Sequence, residues 1–286
     1  MKRILHPFTS ALRELSRRWG ALLILLALYL AMLGAIYRFI ATREATVAQL
    51  FLSALFALAA PVLFLIIQTM AARYNHGSER AWPLLGGSVR DFWKLLVISL
   101  PILLIAVLAV YLFGKIETTA TTAPAAVLEA VRAQPTPPRP VTPKPQPVSW
   151  QSVAVTTIQY LLFCLVLPLA AVHLWIETAR DGLKQTFKRS PRILGRAFAP
   201  QSVLIYAIGF VFFAVVPYFL IVVRAQLSNA WWLDAGLLAT RLLLAGLFSL
   251  IGWVVTVGAL GDRGTTSGLV AAAQASEGAG HVPAEA

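Results

Sequence analysis

Residues 92–114 read FWKLLVISLPILLIAVLAVYLFG and carry one charged side chain, Lys94, near their start. A helix needs about 20 apolar residues to cross a hydrocarbon core of about 30 Å, and this stretch has that length. Strands of a membrane barrel would instead alternate apolar and polar residues over about ten positions, and the stretch shows no such alternation. It therefore predicts a transmembrane helix.

Five further segments share this length and apolar character, at residues 20–40, 47–72, 150–176, 202–224 and 235–260. The chain of 286 residues is 58% apolar and 13% charged, with a mean hydropathy of +0.75, whereas soluble domains carry about 25% charged residues. This composition excludes a soluble globular protein. The sequence predicts an all-α polytopic membrane protein with six transmembrane helices.

Lysine and arginine are distributed unevenly between the loops, and cytoplasmic loops of membrane proteins carry the excess. With the N-terminus inside, 16 of the 24 basic residues fall on the inner side and seven on the outer side, while Arg241 lies within the sixth segment. Both termini are therefore predicted to be cytoplasmic. The net charge of +12 lies beside membrane helices, where anionic lipid is the nearest partner, so no nucleic acid partner is predicted.

The segments divide the chain into regions. Residues 1–20 combine apolar and basic side chains and predict an amphipathic cytoplasmic leader, followed by the six-helix domain at 21–263. The outer loop 115–149 contains PTPPRPVTPKPQP, and proline prevents both helix and sheet there. Residues 134–147 predict polyproline II, either a stiff arm for a protein partner in the envelope or only a linker. Residues 264–286 predict a disordered tail.

Two inner loops resemble each other. GSVRDFWK surrounds Ser88 and RSPRILGR surrounds Ser190, so that Ser-x-Arg is followed four residues later by Lys94 or Arg196. Central prolines precede each loop, in segments two and four. The similarity is either an internal repeat of helix–loop–helix units, spans 2–3 and 4–5, or a coincidence.

The two serines fit a structural role. Ser88 is followed by Asp91 as in a capping box, and Ser190 precedes Pro191 at the favoured first helical position, so both predict helix N-caps. Arg90 with Lys94, and Arg192 with Arg196, are each one turn apart and predict a basic helix face at headgroup depth. This face is either a specific anionic lipid or phosphate site or a general positive-inside anchor.

Polar residues within membrane segments are candidates for function. Arg241 belongs to a helical face that continues through Ala245, Ser249, Gly252 and Thr256, and small residues on such a face let helices approach closely. Arg241 is predicted either to bind an anionic substrate or to pair with Asp234 or reach the headgroups.

His173 and Glu177 share one face of the fourth segment, four residues apart. This spacing suits proton exchange, but both residues lie at the inner end of the segment, so the alternative is interfacial solvation.

The sequence contains no motif for a catalytic site. It lacks HExxH, G-x-S-x-G, a P-loop and an intramembrane carboxylate pair, and with one cysteine, Cys164, it offers no metal-ligand spacing. We expect no enzyme activity, no metal and no cofactor.

The basic leader, the six segments and the Ser-x-Arg loops resemble a broad group of bacterial six-helix membrane proteins, which includes the membrane domain fused to some glycerophosphodiester phosphodiesterases. The supporting sequences are ETARDGLKQTFKRSPRILGRAF at 177–198 and RAWPLLGGSVRDFWK at 80–94. The resemblance implies a bacterial inner-membrane location, and it carries over no activity because the catalytic domain is not in this sequence. The function expected is a membrane-organising or accessory protein that engages anionic lipid at its inner face. The alternative is a small transporter or permease subunit.

Overall fold

The computed structural model describes residues 2–42, 46–74, 80–121, 150–223 and 231–279. All regular elements within these ranges are helices, and six helical segments there are long and apolar enough to cross a membrane. These spans, numbered 1 to 6, are Trp19–Ala41, Val47–Tyr74, Ala81–Ile116, Val153–Asp181, Pro200–Val222 and Trp232–Gly261. The prediction of an all-α polytopic membrane protein is confirmed.

The helices are numbered in chain order. They are α1 (Lys2–Arg17), α2 (Trp19–Ala41), α3 (Val47–Tyr74), α4 (Ala81–Thr121), α5 (Trp150–Leu161), α6 (Leu167–Asp181), α7 (Leu183–Ala197), α8 (Pro200–Phe210), α9 (Val216–Val222) and α10 (Trp231–Ala279). Short π-helical segments, Leu162–Val166 and Val211–Val215, join α5 to α6 and α8 to α9.

Each π segment ends two residues before a proline, Pro168 or Pro217. Proline cannot donate a backbone hydrogen bond, and its ring collides with the carbonyl four residues earlier. For Pro217 that carbonyl belongs to Phe213, and the hydroxyl of Ser249 donates to it at 3.1 Å. A side chain from span 6 thus satisfies the acceptor that Pro217 leaves without its usual donor.

The chain divides into two compact units. The first unit comprises residues 1–98 and 169–286, and the second comprises residues 99–168. The second unit contains the later part of α4, α5 and the first π segment. Its apolar side chains are largely exposed, as at Leu104 and Tyr160, which is the surface that a helix presents to lipid rather than to water.

Span 6 is central to the first unit, where it packs against α1, α3, α8 and α9. Small residues allow close approach, because a Cβ added to Gly252 of span 6 would lie 3.0 Å from the backbone nitrogen of Phe213. A Cβ added to Gly209 of α8 would collide with the side chain of Thr256 in span 6. The indole of Trp253 also donates to the amide oxygen of Gln68 at 2.7 Å. The predicted small face of span 6 is therefore its packing face.

The amphipathic leader is helical, as α1. Its residues Phe8 and Leu12 line an apolar groove of about 410 Å³ together with Phe212 of the second π segment and Phe248 of span 6. The apolar side of α1 therefore lies beside two membrane spans.

The C-terminal region differs from its prediction. α10 continues to Ala279, whereas the sequence predicts a disordered tail from residue 264. Residues 270–276 explain the difference, since this stretch, VAAAQAS, is rich in alanine, the best helix former. The proline-rich residues 134–147, most of the outer loop 115–149 and residues 280–286 lie outside the described residues.

Candidate functional site

A short helix, α7, connects spans 4 and 5. It is separated from α6 by Gly182, whose φ of +81° and ψ of 166° belong to a region that is essentially restricted to glycine. It is separated from α8 by Ala199, which is extended at ψ 139° because a residue before proline avoids the helical region. Two local backbone preferences thus create a separate helix.

One face of α7 packs against the protein. Thr186, Ile193 and Ala197 are buried, at the spacing of seven and four residues that forms one helical stripe. The remaining faces expose the basic side chains Lys184, Lys188, Arg189 and Arg192 together with Phe187. This pattern of a packed stripe, exposed cations and an exposed aromatic ring is typical of a helix lying at a membrane interface.

The exposed face of α7 contains a shallow groove of about 370 Å³. The groove is lined by Gln185, Lys188, Arg189, Pro191 and Arg192. Arg189 also contacts Asp181 at 3.4 Å. The groove is open and positively charged, which suits an anionic surface.

A second cavity, the polar pocket, lies where α6, α7, α8 and span 6 meet. It has a volume of about 90 Å³, and its polar lining residues are His173, Glu177, Arg180, Arg196, Gln201 and Ser202. Leu260 and Gly261 of span 6 contribute apolar walls. Three residues singled out by the sequence, His173, Glu177 and Arg196, thus come together at one site.

An ion pair forms one wall of the polar pocket. Nη1 of Arg196 lies 3.1 Å from Oε1 of Glu177, which connects the end of α7 to the end of span 4. The backbone of Arg196 is fixed as well, since its carbonyl accepts from the amide of Ala199 at 3.2 Å and from the hydroxyl of Ser202 at 3.2 Å. The guanidinium therefore projects from a rigid corner between two helices.

His173 is buried, with 7% of its surface exposed. Its Nδ1 lies 3.0 Å from the carbonyl of Leu169. A carbonyl can only accept, so Nδ1 donates and Nε2 is left as the nitrogen available to the pocket. Burial inside the protein, not interfacial solvation, is the environment of this ring.

Beside the first inner loop, one carboxylate lies among several cations. We name this group, Arg73, Arg90, Asp91 and Lys94, the Asp91 cluster. Asp91 accepts from Nη1 of Arg73 at 2.8 Å and from Nζ of Lys94 at 2.8 Å, and Nε of Arg90 lies 3.9 Å away. Gly87 makes room for this arrangement, because a Cβ there would lie 2.9 Å from the Arg73 guanidinium. One carboxylate thus gathers three cations.

The four predicted lipid-contact residues separate into two classes. Lys94 and Arg196 each bind a carboxylate of the protein. The side chain of Arg90 is 80% accessible and lies 3.9 Å from Asp91, which is longer than a hydrogen bond, and Arg192 is exposed. The predicted pairs therefore do not form two equivalent basic faces.

The predicted helix caps at Ser88 and Ser190 are wrong. Ser88 lies inside α4, which starts at Ala81, and its hydroxyl donates to the carbonyl of Leu84 at 2.7 Å. Ser190 lies inside α7, and its hydroxyl donates to the carbonyl of Phe187 at 3.0 Å. That carbonyl is the acceptor that Pro191 cannot use, so Ser190 supports a proline within a helix and does not start one.

Arg241 has a local structural partner. Its Nη1 donates to the carbonyl of Val223. Val223 is the C-cap residue of α9. Carbonyls at a helix end lack intrahelical partners, and a cation there also offsets the helix dipole. Arg241 therefore closes the end of span 5, a role that neither predicted alternative included.

Sequence reasoning missed Arg180, Gln201 and Ser202 as parts of the polar pocket. Pro200 is the signal that would have located Gln201 and Ser202, since proline favours the first position of a helix. No group of three or more His, Cys, Asp or Glu side chains that could hold a metal occurs among the described residues.

Comparisons with known proteins add no relative. Scans against protein-family models, curated proteins and solved structures each return no match for this chain.

Proposed function

We propose that this integral membrane protein lies in a bacterial inner membrane with both termini cytoplasmic and engages anionic phospholipid through the exposed face of α7. The observation that carries the proposal is the division of α7 into a packed stripe and a face of exposed cations. Such a protein would organise its lipid surroundings or assist another membrane system.

The arrangement supports this function on energetic grounds. A basic residue close to an anionic membrane surface contributes about 1 kcal/mol, and Lys184, Lys188 and Arg192 are exposed on one short helix. Phe187, 46% exposed beside them, provides an apolar contact at the same depth. Charge and apolar contact together favour a headgroup with negative charge over a zwitterionic one.

Lipid retention tests the proposal. Native mass spectrometry of the detergent-solubilised protein should count fewer phosphatidylglycerol molecules on the variant Lys188→Gln/Arg192→Gln than on the parent at low salt. At about 1 kcal/mol per residue the expected loss of affinity is roughly fivefold for each substitution, and salt should reduce the difference.

The control removes the same charge from the predicted outer side, in Arg38→Gln/Lys115→Gln. This control should retain as much phosphatidylglycerol as the parent. Equal retention by all three proteins would remove the support for lipid engagement at α7.

Orientation has its own test. Alkaline phosphatase fused within residues 120–145 should be active, and alkaline phosphatase fused after residue 185 should be inactive, since the enzyme folds only outside the cytoplasm. The reverse pattern would place α7 on the outer side and overturn the proposed location of the lipid contact.

A small transporter or permease subunit is the second candidate. It is favoured by the π segments before Pro168 and Pro217, because π-helical segments occur frequently at functional sites and prolines loosen membrane helices. Uptake by proteoliposomes that depends on the residues of the polar pocket would support this candidate over a purely lipid-binding role.

A further inference from the structure

The polar pocket has the composition of an anion site. It contains two guanidinium groups, from Arg180 and Arg196, and one carboxylate, from Glu177, so these three groups give it one excess positive charge. It also adjoins the N-terminus of α8, whose N-cap residue Ala199 makes no side-chain cap hydrogen bond. Both features favour a negatively charged group.

We infer that the polar pocket binds a terminal phosphate group, which displaces Glu177 from Arg196. The inference rests on the proposed function in one respect, that the source of the phosphate is a membrane lipid. The same chemistry is offered by free inorganic phosphate, which reaches the pocket from solution.

The guanidinium of Arg196 is prepared for this exchange. It makes one hydrogen bond to Glu177, and its side chain remains 42% accessible while that of Glu177 is 17% accessible. A guanidinium offers a planar fork of donors that matches two oxygens of a phosphate. A phosphate can therefore satisfy more donors of Arg196 than the single carboxylate contact does.

The other polar groups of the pocket suit the remaining phosphate oxygens. Arg180 has its nearest carboxylate contact, to its chain neighbour Asp181, at 3.8 Å, which is longer than a hydrogen bond. Gln201 also lines the cavity, and its side-chain amide nitrogen is a further donor. Donors from three different helices would thus surround one tetrahedral group.

The cavity has room for a terminal phosphate. Its volume of about 90 Å³ is several times the roughly 10–15 Å³ that one water molecule needs. A phosphate monoester fits such a space with its ester oxygen pointing out. A phosphodiester such as phosphatidylglycerol has two unesterified oxygens where a monoester has three, so it offers fewer acceptors to these donors.

Three variants test the inference in phosphatidylcholine nanodiscs that contain phosphatidic acid, with retained lipid counted by native mass spectrometry. Arg196→Gln should weaken retention of phosphatidic acid about tenfold or more, because charge-assisted bonds are lost. Glu177→Gln should strengthen retention, because the competing carboxylate is gone. Arg196→Lys keeps the charge but loses the fork and should fall between the parent and Arg196→Gln, which separates binding from a failure to fold.

Asp91→Asn is the matched control. It removes one carboxylate from an arginine pair of the other loop and changes the net charge as Glu177→Gln does. Retention of phosphatidic acid should be unchanged in Asp91→Asn. An equal gain in both variants, or unchanged retention in Arg196→Gln and Arg196→Lys, would overturn the phosphate site.

Titration calorimetry with inorganic phosphate in nanodiscs of phosphatidylcholine alone identifies the source. Heat that depends on Arg196 supports free phosphate, and retention of phosphatidic acid without such heat supports a lipid phosphate. The inference and the proposed function fail separately. Phosphatidylglycerol retention that depends on Lys188 and Arg192, without any effect of Arg196 on phosphatidic acid or phosphate, would leave the proposed function standing and the phosphate site refuted.

Discussion

The two loops on the predicted cytoplasmic side contain similar sequences and hold opposite arrangements of charge. At the first loop, the carboxylate is Asp91, which lies on the helix after the loop. It binds Lys94 on the same helix and Arg73 at the end of span 2. In the second loop the carboxylate of Glu177 lies at the end of span 4, and the cation of Arg196 lies on the helix that follows. Carboxylate and cation have exchanged sides.

The difference changes what each loop can do. Asp91 and Arg73 are about equally enclosed, with 20% and 22% of their side chains accessible, and Asp91 satisfies several cations at once. Arg196 is 42% accessible and borders a cavity. A saturated cluster of charges is suited to holding two helices together, whereas a single accessible ion pair beside a cavity is suited to exchanging partners with a ligand.

Small residues explain why the loops diverge. Gly86 and Gly87 precede Ser88, whereas Lys188 and Arg189 precede Ser190. The bare backbone of Gly87 accommodates the Arg73 guanidinium, and in the second loop the bulky Arg189 reaches Asp181 instead. The backbone differs too, since α4 continues without interruption from Ala81 through the whole of span 3, while α7 and α8 are separate helices.

The largest effect that this comparison predicts is at Asp91. Asp91→Ala should lower the free energy of unfolding by about 2–3 kcal/mol, because partly buried hydrogen bonds to charged groups are worth about 1.5–3 kcal/mol and more than one cation loses its partner. Glu177→Ala should cost about 0–1 kcal/mol, because its partner Arg196 is 42% accessible and water can solvate the guanidinium once the carboxylate is gone. Titration with SDS in mixed micelles measures both values, and equal losses would show that the two pairs have the same structural role.

The sequence predicts the six spans well because length and apolar composition alone determine whether a helix can cross a bilayer. It fails at the loops because ion pairs between residues 73 and 91, or 177 and 196, depend on the angles at which helices end. The caps at Ser88 and Ser190 failed for a related reason. A serine within a helix donates to a preceding carbonyl, and the sequence motif alone does not distinguish such a serine from an N-cap serine.

A smaller change in the free energy of unfolding is expected at Gly182, which separates α6 from α7. Gly182→Ala should lower the free energy of unfolding by about 1–2 kcal/mol, since a Cβ is strained at a positive φ. Gly86→Ala, in the helix of the other loop and with no atom within 4 Å of the added Cβ, should instead raise it by about 0.5–1 kcal/mol through helix propensity. The same SDS titration compares the two variants, and a stabilising Gly182→Ala would mean that α6 and α7 can join into one helix.

The smallest effect concerns the two threonines on either side of that glycine. The hydroxyl of Thr186 donates to the carbonyl of Gly182 at 3.0 Å, whereas Oγ1 of Thr178 is buried without a hydrogen-bond partner among the described residues. A buried hydroxyl that lacks a partner carries its desolvation cost uncompensated, so replacing it with a methyl group of similar shape is neutral or favourable. Thr178→Val should therefore raise the free energy of unfolding by about 0.5–1 kcal/mol, while Thr186→Val should lower it by about 1 kcal/mol. SDS titration of the pair resolves the sign, and a loss in Thr178→Val as large as that in Thr186→Val would show that Thr178 has a hydrogen-bond partner in the membrane.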